Sequence, residues 1–346
     1  MFKKISTLFA IVTSLSLGIT GCTSNNPITE EKPKETTKLT VAEVTHSIFY
    51  APQYAAITEG FFDEEGIEID LINTQGADKT MAALLSGEAD IGLMGPEASI
   101  YVYNKGSDNY AVNFAQLTQK DGSFLVAREP SENFSFEELK GKEVLGGRKG
   151  GVPEMTLEYV LKQNNLTLGT DTEKGEVNVR TDVQFNVLSG SFVGGEGDYV
   201  ALFEPTASEI EKQGKGYIVA SIGQESGLIP YTAYSAPKEY IEKNPELIQS
   251  FTNAVYKGQT WVNNHSAEEI ADAVAPFFTD FTREDLITVV ERYKSIDAWS
   301  TTPILNEDSL NLLMDVMEEA KELDKRAPYD KIVNTNFAKE SVKTVK

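Results

Sequence analysis

Four kinds of side chain in this sequence have the chemistry to recognise a small molecule. Glu97 stands in Gly95-Pro96-Glu97 and Glu204 in Phe203-Glu204-Pro205. Arg148 lies inside the glycine-rich run Gly146-Gly147-Arg148-Lys149-Gly150-Gly151-Val152-Pro153-Glu154, and His46 precedes the aromatic pair Phe49-Tyr50. Two carboxylates in one cleft favour a ligand with amino or ring N–H donors, although each is equally able to cap a helix N-terminus. Phe49 and Tyr50 either wall a flat ligand or pack the helix that follows. Glycines ahead of a helix let backbone N–H groups approach a ligand, or else form a tight turn or hinge. The 146–154 run lacks the lysine-then-hydroxyl ending that nucleotide phosphates and magnesium require. Arg148 can offer a bidentate bond to a polar ligand group or pair with one of the carboxylates.

Catalytic constellations are missing. There are two histidines, and His265 sits in an Asn-Asn-His-Ser run that reads as helix-end capping. Without HExxH or GxSxG, neither a metal site nor an activated serine is expected, and no cofactor is implied.

These residues need elements to hold them in place, and short apolar runs alternate with helical patterns as βα units do. Leu39–Val44, Ile67–Ile72 and Ala89–Met94 read as strands, with helices over Tyr50–Glu59 and Asp78–Ser86 closed by Gly60 and Gly87. Phe124–Arg128 reads as a strand leaving this first lobe. A second series follows, with strands at Glu143–Gly147, Asn178–Val183 and Tyr199–Phe203 and a helix over Pro153–Asn164. Tyr231–Ala236 returns to the first lobe. Helices are then expected over Pro245–Asn264, Ala267–Phe277, Arg283–Tyr293 and Asn306–Leu323. The fold class is therefore α/β, two Rossmann-like lobes joined by a two-crossing hinge, with a helical C-terminal extension on the first lobe. In open α/β sheets ligands bind at the carboxyl ends of strands. The expected ligand residues are accordingly His46, Phe49, Tyr50, Gln75, Gly76, Gly95, Pro96, Glu97, Arg148, Gly150, Gly151, Glu154, Phe185, Glu204 and Tyr231.

The N-terminus supplies an address. Lys3 and Lys4 precede an apolar run to Ile19 that is too short to span a bilayer, and Ile19-Thr20-Gly21-Cys22 resembles a bacterial lipobox. Residues 1–21 are then a lipoprotein signal peptide, and Cys22, the only cysteine, is the lipidation site. Residues 22–38 form a polar tether that lets the folded part reach away from the membrane. Lobe 1 takes residues 39–124 and 232–346, and lobe 2 takes 125–231. A formal charge of −22 disfavours nucleic acid as a partner.

Beyond these readings, Ser47-Ile48-Phe49-Tyr50-Ala51-Pro52-Gln53-Tyr54-Ala55-Ala56, Glu59-Gly60-Phe61-Phe62 and Glu65-Gly66-Ile67 resemble the opening of the SsuA/THI5-like (NMT1) family. The pattern continues in Gly87-Glu88-Ala89-Asp90-Ile91-Gly92 and Leu139-Lys140-Gly141-Lys142, and the likeness covers residues 38 to 330. It implies the periplasmic binding protein type II fold. It also implies an extracytoplasmic, membrane-anchored and monomeric receptor that hands a small molecule to ABC permease and ATPase subunits. In that family an acidic residue often precedes the proline at the position of Glu204. A thiamin pyrimidine precursor is the leading ligand, and an alkanesulfonate, taurine or nitrate-like anion is the alternative. A pyrimidine-synthase-like enzyme or a non-transport surface sensor is the reading of another class. The synthases use a histidine and a cysteine-rich motif, and this chain lacks that motif.

Overall fold

The computed structural model describes residues 36–345. The leader, Cys22 and most of the tether lie outside the described residues. Among the described residues, ten strands form two five-stranded sheets. The first contains β1 (Thr37–Glu43), β2 (Ile67–Asn73), β3 (Ile91–Met94), β4 (Ala111–Thr118) and β10 (Thr232–Pro237), in the order β2-β1-β3-β10-β4. The second contains β5 (Ser123–Ala127), β6 (Glu143–Leu145), β7 (Asn178–Arg180), β8 (Tyr199–Phe203) and β9 (Tyr217–Ser221), in the order β7-β6-β8-β5-β9.

Each sheet has a parallel trio, and each receives one antiparallel strand directly from the other sheet. The chain crosses from β4 to β5, which runs antiparallel to β8, and returns from β9 to β10, which runs antiparallel to β3. A strand that enters a sheet from the neighbouring body arrives at the opposite end from one delivered by a βα crossover, so its direction is reversed. Two such crossings make the connection between sheets short and double.

The first βα units follow from helix stop signals. The helix Ala51–Thr58 ends before Gly60 (φ 76°), and Ala77–Ser86 is capped by Gly87 (φ 79°), conformations that only glycine adopts without strain. Gly92 permits close packing, since a Cβ there would come 2.8 Å from the Met94 methyl. β1 begins two residues earlier than its apolar pattern, because Thr37 and Lys38 pair with Ile67 and Glu68 through the backbone while their side chains stay in solvent.

The C-terminal helices Pro245–Asn264, Ala267–Val274, Arg283–Ser295, Glu307–Glu319 and Asn336–Thr344 cover the first sheet and reach the second. The indole Nε1–H of Trp299 donates to the Phe49 carbonyl at 2.9 Å. Tyr293 Oη donates to the Gly122 carbonyl at 3.1 Å and accepts from the Glu204 N–H at 3.0 Å.

Candidate functional site

The carboxyl ends of the strands in both sheets face each other across a crevice that holds a cavity of about 210 Å³. Thr45, His46, Asn73 and Gln75 line it from the first sheet; Phe185, Asn186, Leu188, Ser189, Phe203, Glu204 and Thr206 line it from the second. Gln75 is held at φ 61°, with its N–H on the Asn73 carboxamide oxygen at 3.1 Å, so the loop after β2 turns back towards the opening. Phe185 and Phe203 lie with ring centroids 5.8 Å apart. Three carboxamides, several hydroxyls and two phenyl rings thus surround a volume fit for a small planar molecule. No Lys or Arg is among the described residues that line this cavity.

His46 is tied to the first sheet. Its Nδ1 lies 2.9 Å from Glu43 Oε1 and its Nε2–H donates to the Phe277 carbonyl at 2.8 Å, while its ring stacks on Phe278 with centroids 4.6 Å apart. Tyr54 Oη also lies 3.1 Å from Nδ1, so both ring nitrogens are engaged. The hydrogen bond to Glu43 raises its pKa above the usual 6.5, with partial burial opposing and the Phe277 carbonyl reinforcing. Buried Glu43 also accepts from Gln53 Nε2 at 2.9 Å and from Tyr54 Oη at 3.0 Å. His46 therefore presents a ring face or edge to the cavity and keeps no free nitrogen for a ligand.

A raised histidine pKa contributes stability that is complete below pH 6.5 and is lost as pH rises through the folded-state value. The carboxyls of Glu97, Asp121 and Glu154 are pushed up to about 7, mainly by burial, so their protonation favours the folded state at low pH, and this advantage fades between about 4 and 7. Denaturant midpoints are expected to fall as pH rises above 6.5, and to fall less steeply for His46→Gln than for the parent protein.

Glu204 is fully enclosed and already satisfied. Its Oε2 accepts from the Ser208 N–H and its Oε1 from Ser208 Oγ, both at 2.8 Å, which caps the helix Thr206–Lys212; Arg292 Nη1 pairs with Oε1 at 2.7 Å. Its carbonyl accepts a short bond from Ser47 Oγ, joining the first sheet's loop to the second. Of its two sequence readings, capping is the one the geometry displays.

The other expected ligand residues are distributed differently. Phe49 and Tyr50 are buried, and Phe49 packs against Phe203, Tyr231 and Tyr293 with centroids 5.3–5.6 Å apart. Tyr231 is equally enclosed on the return crossing, its hydroxyl beside Asp121. Gly76, Gly95 and Pro96 shape the loop backbones, and a Cβ on Gly95 would lie 2.0 Å from Glu97 Oε2. Gly150 (φ 73°) and Gly151 form the turn before the helix Val152–Gln163, where Glu154 Oε2 accepts from the Gly150 N–H at 2.9 Å. Glu97 and Arg148 line a second opening, between the helices Ala77–Ser86 and Glu97–Asn104 and the segment 322–325. The fifteen residues do not share one pocket: His46, Gln75, Phe185 and Glu204 meet at the cavity.

Asn73, Ser189 and Thr206 were not singled out, yet Asn73 is the last residue of β2 and Thr206 opens the helix after β8, as the strand-end rule requires. His265 caps its helix, with Nδ1 on the Trp261 carbonyl at 2.6 Å and its ring stacked on the indole.

Residues 48–269 match the family model NMT1/THI5 like. YtlA of Bacillus subtilis (strain 168), which carries the name of a binding protein, is 48% identical over 308 residues, 89% of this chain and 91% of that one. The 4-amino-5-hydroxymethyl-2-methylpyrimidine phosphate synthase of Aspergillus parasiticus is 25% identical over 66% of this chain and 67% of its own length. The alkanesulfonate-binding protein SsuA from Xanthomonas axonopodis pv. citri, bound to MOPS, superposes with a TM-score of 0.67 at 14% identity, over 87% of this chain and 99% of that one, and so shares the fold. The chain belongs to the NMT1/THI5 like family.

Proposed function

We propose that this protein is an extracytoplasmic solute-binding protein of an ABC-type importer, anchored through Cys22, that captures a small neutral heteroaromatic nutrient of the thiamin-pyrimidine kind. The observation that carries the choice of ligand is the lining of the crevice cavity. Carboxamides at Asn73, Gln75 and Asn186 offer both donors and acceptors, and Phe185 offers an aromatic face. An aminopyrimidine complements such a set. A sulfonate would need a cation, and the one basic side chain on the wall, His46, already has both ring nitrogens engaged by Glu43 and Phe277.

Glu204, engaged by Arg292 and Ser208, drops out as a direct partner for the ligand's amino group. Relatives that make the pyrimidine phosphate support the same ligand class. A binding role rather than catalysis fits a cavity whose histidine is immobilised. Lobe 1 (39–124 and 232–346) and lobe 2 (125–231) then close over the ligand, which favours the closed state through contacts made only there.

Calorimetric titration of purified protein with 4-amino-5-hydroxymethyl-2-methylpyrimidine is expected to show saturable binding, and taurine or an alkanesulfonate none. Asn186→Ala should weaken the pyrimidine about tenfold, the worth of one or two hydrogen bonds. Tight sulfonate binding without pyrimidine binding would overturn the ligand assignment.

A further inference from the structure

The second opening has a volume of about 690 Å³ and shares no lining residue with the crevice cavity. Three features there are chemically unfinished. Glu97 is 1% exposed, and its Oε2 has no hydrogen-bond partner among the described residues. Arg148, which also lines the groove, is held loosely: its Nε lies 3.5 Å from Asp78, and its Nη1 makes only a 3.3 Å bond to the neighbouring Lys149 carbonyl. Beside them Met81, Leu85 and Val102 form an apolar wall, on which Leu85 is 46% exposed.

An enclosed carboxylate oxygen without a donor costs free energy that a cationic N–H group can recover. A guanidinium with unused N–H groups is a ready partner for a carboxylate. We propose that this groove is a second ligand site, for a small zwitterion with an apolar body such as an aliphatic amino acid. The ammonium goes to Glu97, the carboxylate to Arg148 and the side chain to the Met81–Leu85–Val102 wall. Arg148 belongs to the loop before the helix Val152–Gln163 and the wall to the first sheet's helices, so the occupant bridges elements of both sheets. Burial pushes the Glu97 carboxyl up to about 7. An ammonium beside it restores the ionised form, so binding releases a proton near neutral pH.

The test is calorimetry on the whole protein with L-leucine and L-methionine, with 3-methylbutylamine and 4-methylpentanoate as controls lacking one charge each. The expected result is saturable binding of at least one amino acid, with each control at least tenfold weaker and a binding heat that varies with the buffer's ionisation enthalpy. Arg148→Ala, at a partly exposed position that leaves the core intact, should weaken the amino acid at least tenfold and leave the pyrimidine within twofold. Glu97→Gln should abolish the proton release. The proposal is overturned if neither amino acid binds, if the amine alone binds as well, or if Arg148→Ala has no effect. Loss of amino acid and pyrimidine together in Arg148→Ala would also overturn it, since one site would then serve both. A protein that binds the amino acid but no pyrimidine would leave this site standing and remove only the ligand assigned to the crevice.

Discussion

Arg292→Ala is expected to lower stability by about 3 kcal/mol, the largest effect of any single side-chain truncation considered for this protein. Arg292 lies on the helix Arg283–Ser295 and reaches across to the second sheet. There it gives Nη1 to Glu204 Oε1 at 2.7 Å and to Ser208 Oγ at 2.6 Å, and Nη2 to Glu211 Oε2 at 2.9 Å. The Glu204 side chain has no solvent contact, so truncating its cation leaves a buried negative charge supported only by Ser208 and the short helix it caps. Removing one partner of a buried pair costs far more than the intact pair contributes. The low end of the usual 3–5 kcal/mol range is expected because the Ser208 bonds survive. Thermal melting should fall by roughly 5 °C or more. Arg292→Lys should recover only part of the loss, since an ammonium cannot hold Glu204 and Glu211 in a planar fork. If the melting temperature of Arg292→Ala matched the parent, the pair would be exchanging with solvent and the bridge between C-terminal helix and second sheet would be dispensable.

Gly223→Ala should be nearly as damaging, for a different reason. Gly223 lies on the return crossing, and a Cβ built there would sit 2.1 Å from the Asp121 carbonyl oxygen on the outgoing crossing and 3.1 Å from Ile296 Cδ1. The obstacle at Asp121 is backbone, so no rotamer change relieves it. Overpacking of this sort costs about 1–3 kcal/mol, and the crossings must separate to accept the methyl. Because both strands that join the sheets run here, the same substitution should weaken ligand binding, whereas Arg292→Ala should act mainly on stability. Denaturant unfolding and pyrimidine titration on the two variants separate these effects. An unchanged midpoint and affinity for Gly223→Ala would mean that the crossings do not touch as described.

Much of the fold could be read in advance where the periodic signal was local. The helix Pro245–Asn264 has proline at its first turn and a strong apolar stripe, and its limits agree with expectation. β8 likewise matches. β4 was not recognised: all eight of its positions are buried, and Asn113, Gln116 and Thr118 break any apolar run. Those polar side chains are satisfied by partners distant in sequence or by the strand itself, with Asn113 Nδ2 on the Ile332 carbonyl, Gln116 Nε2 on the Thr118 carbonyl and Thr118 Oγ1 on Thr232 Oγ1. A strand stabilised in that way has no alternation to detect. β9 escaped as well, since all five of its residues are half-buried and flat in pattern.

The candidate site was legible to the same extent. Strand ends identified Gln75, Phe185 and the loop at Glu204 because topology alone places them. Nothing local could reveal that Arg292, 88 residues from Glu204, neutralises it. Nor could local pattern show that Glu43 takes up one nitrogen of His46 and a carbonyl from the C-terminal helices the other. Both facts remove a titratable group from the ligand's reach, and together they shift the expected chemistry from carboxylate-to-amine pairing towards carboxamides and an aromatic face. The glycine-rich stretch, expected as a ligand loop or else as a hinge or tight turn, forms a turn ahead of the helix Val152–Gln163. Its arginine, however, faces a groove that strand-end reasoning treats as part of the main cleft.

A crystal structure of the protein grown with 4-amino-5-hydroxymethyl-2-methylpyrimidine tests the central claim most directly. The ring should lie in the crevice against Phe185, its polar edge bonded to the carboxamides of Asn73, Gln75 or Asn186, with Ser47 still bonded to the Glu204 carbonyl. A crevice empty under saturating ligand, or a ring bound elsewhere on the surface, would contradict the account.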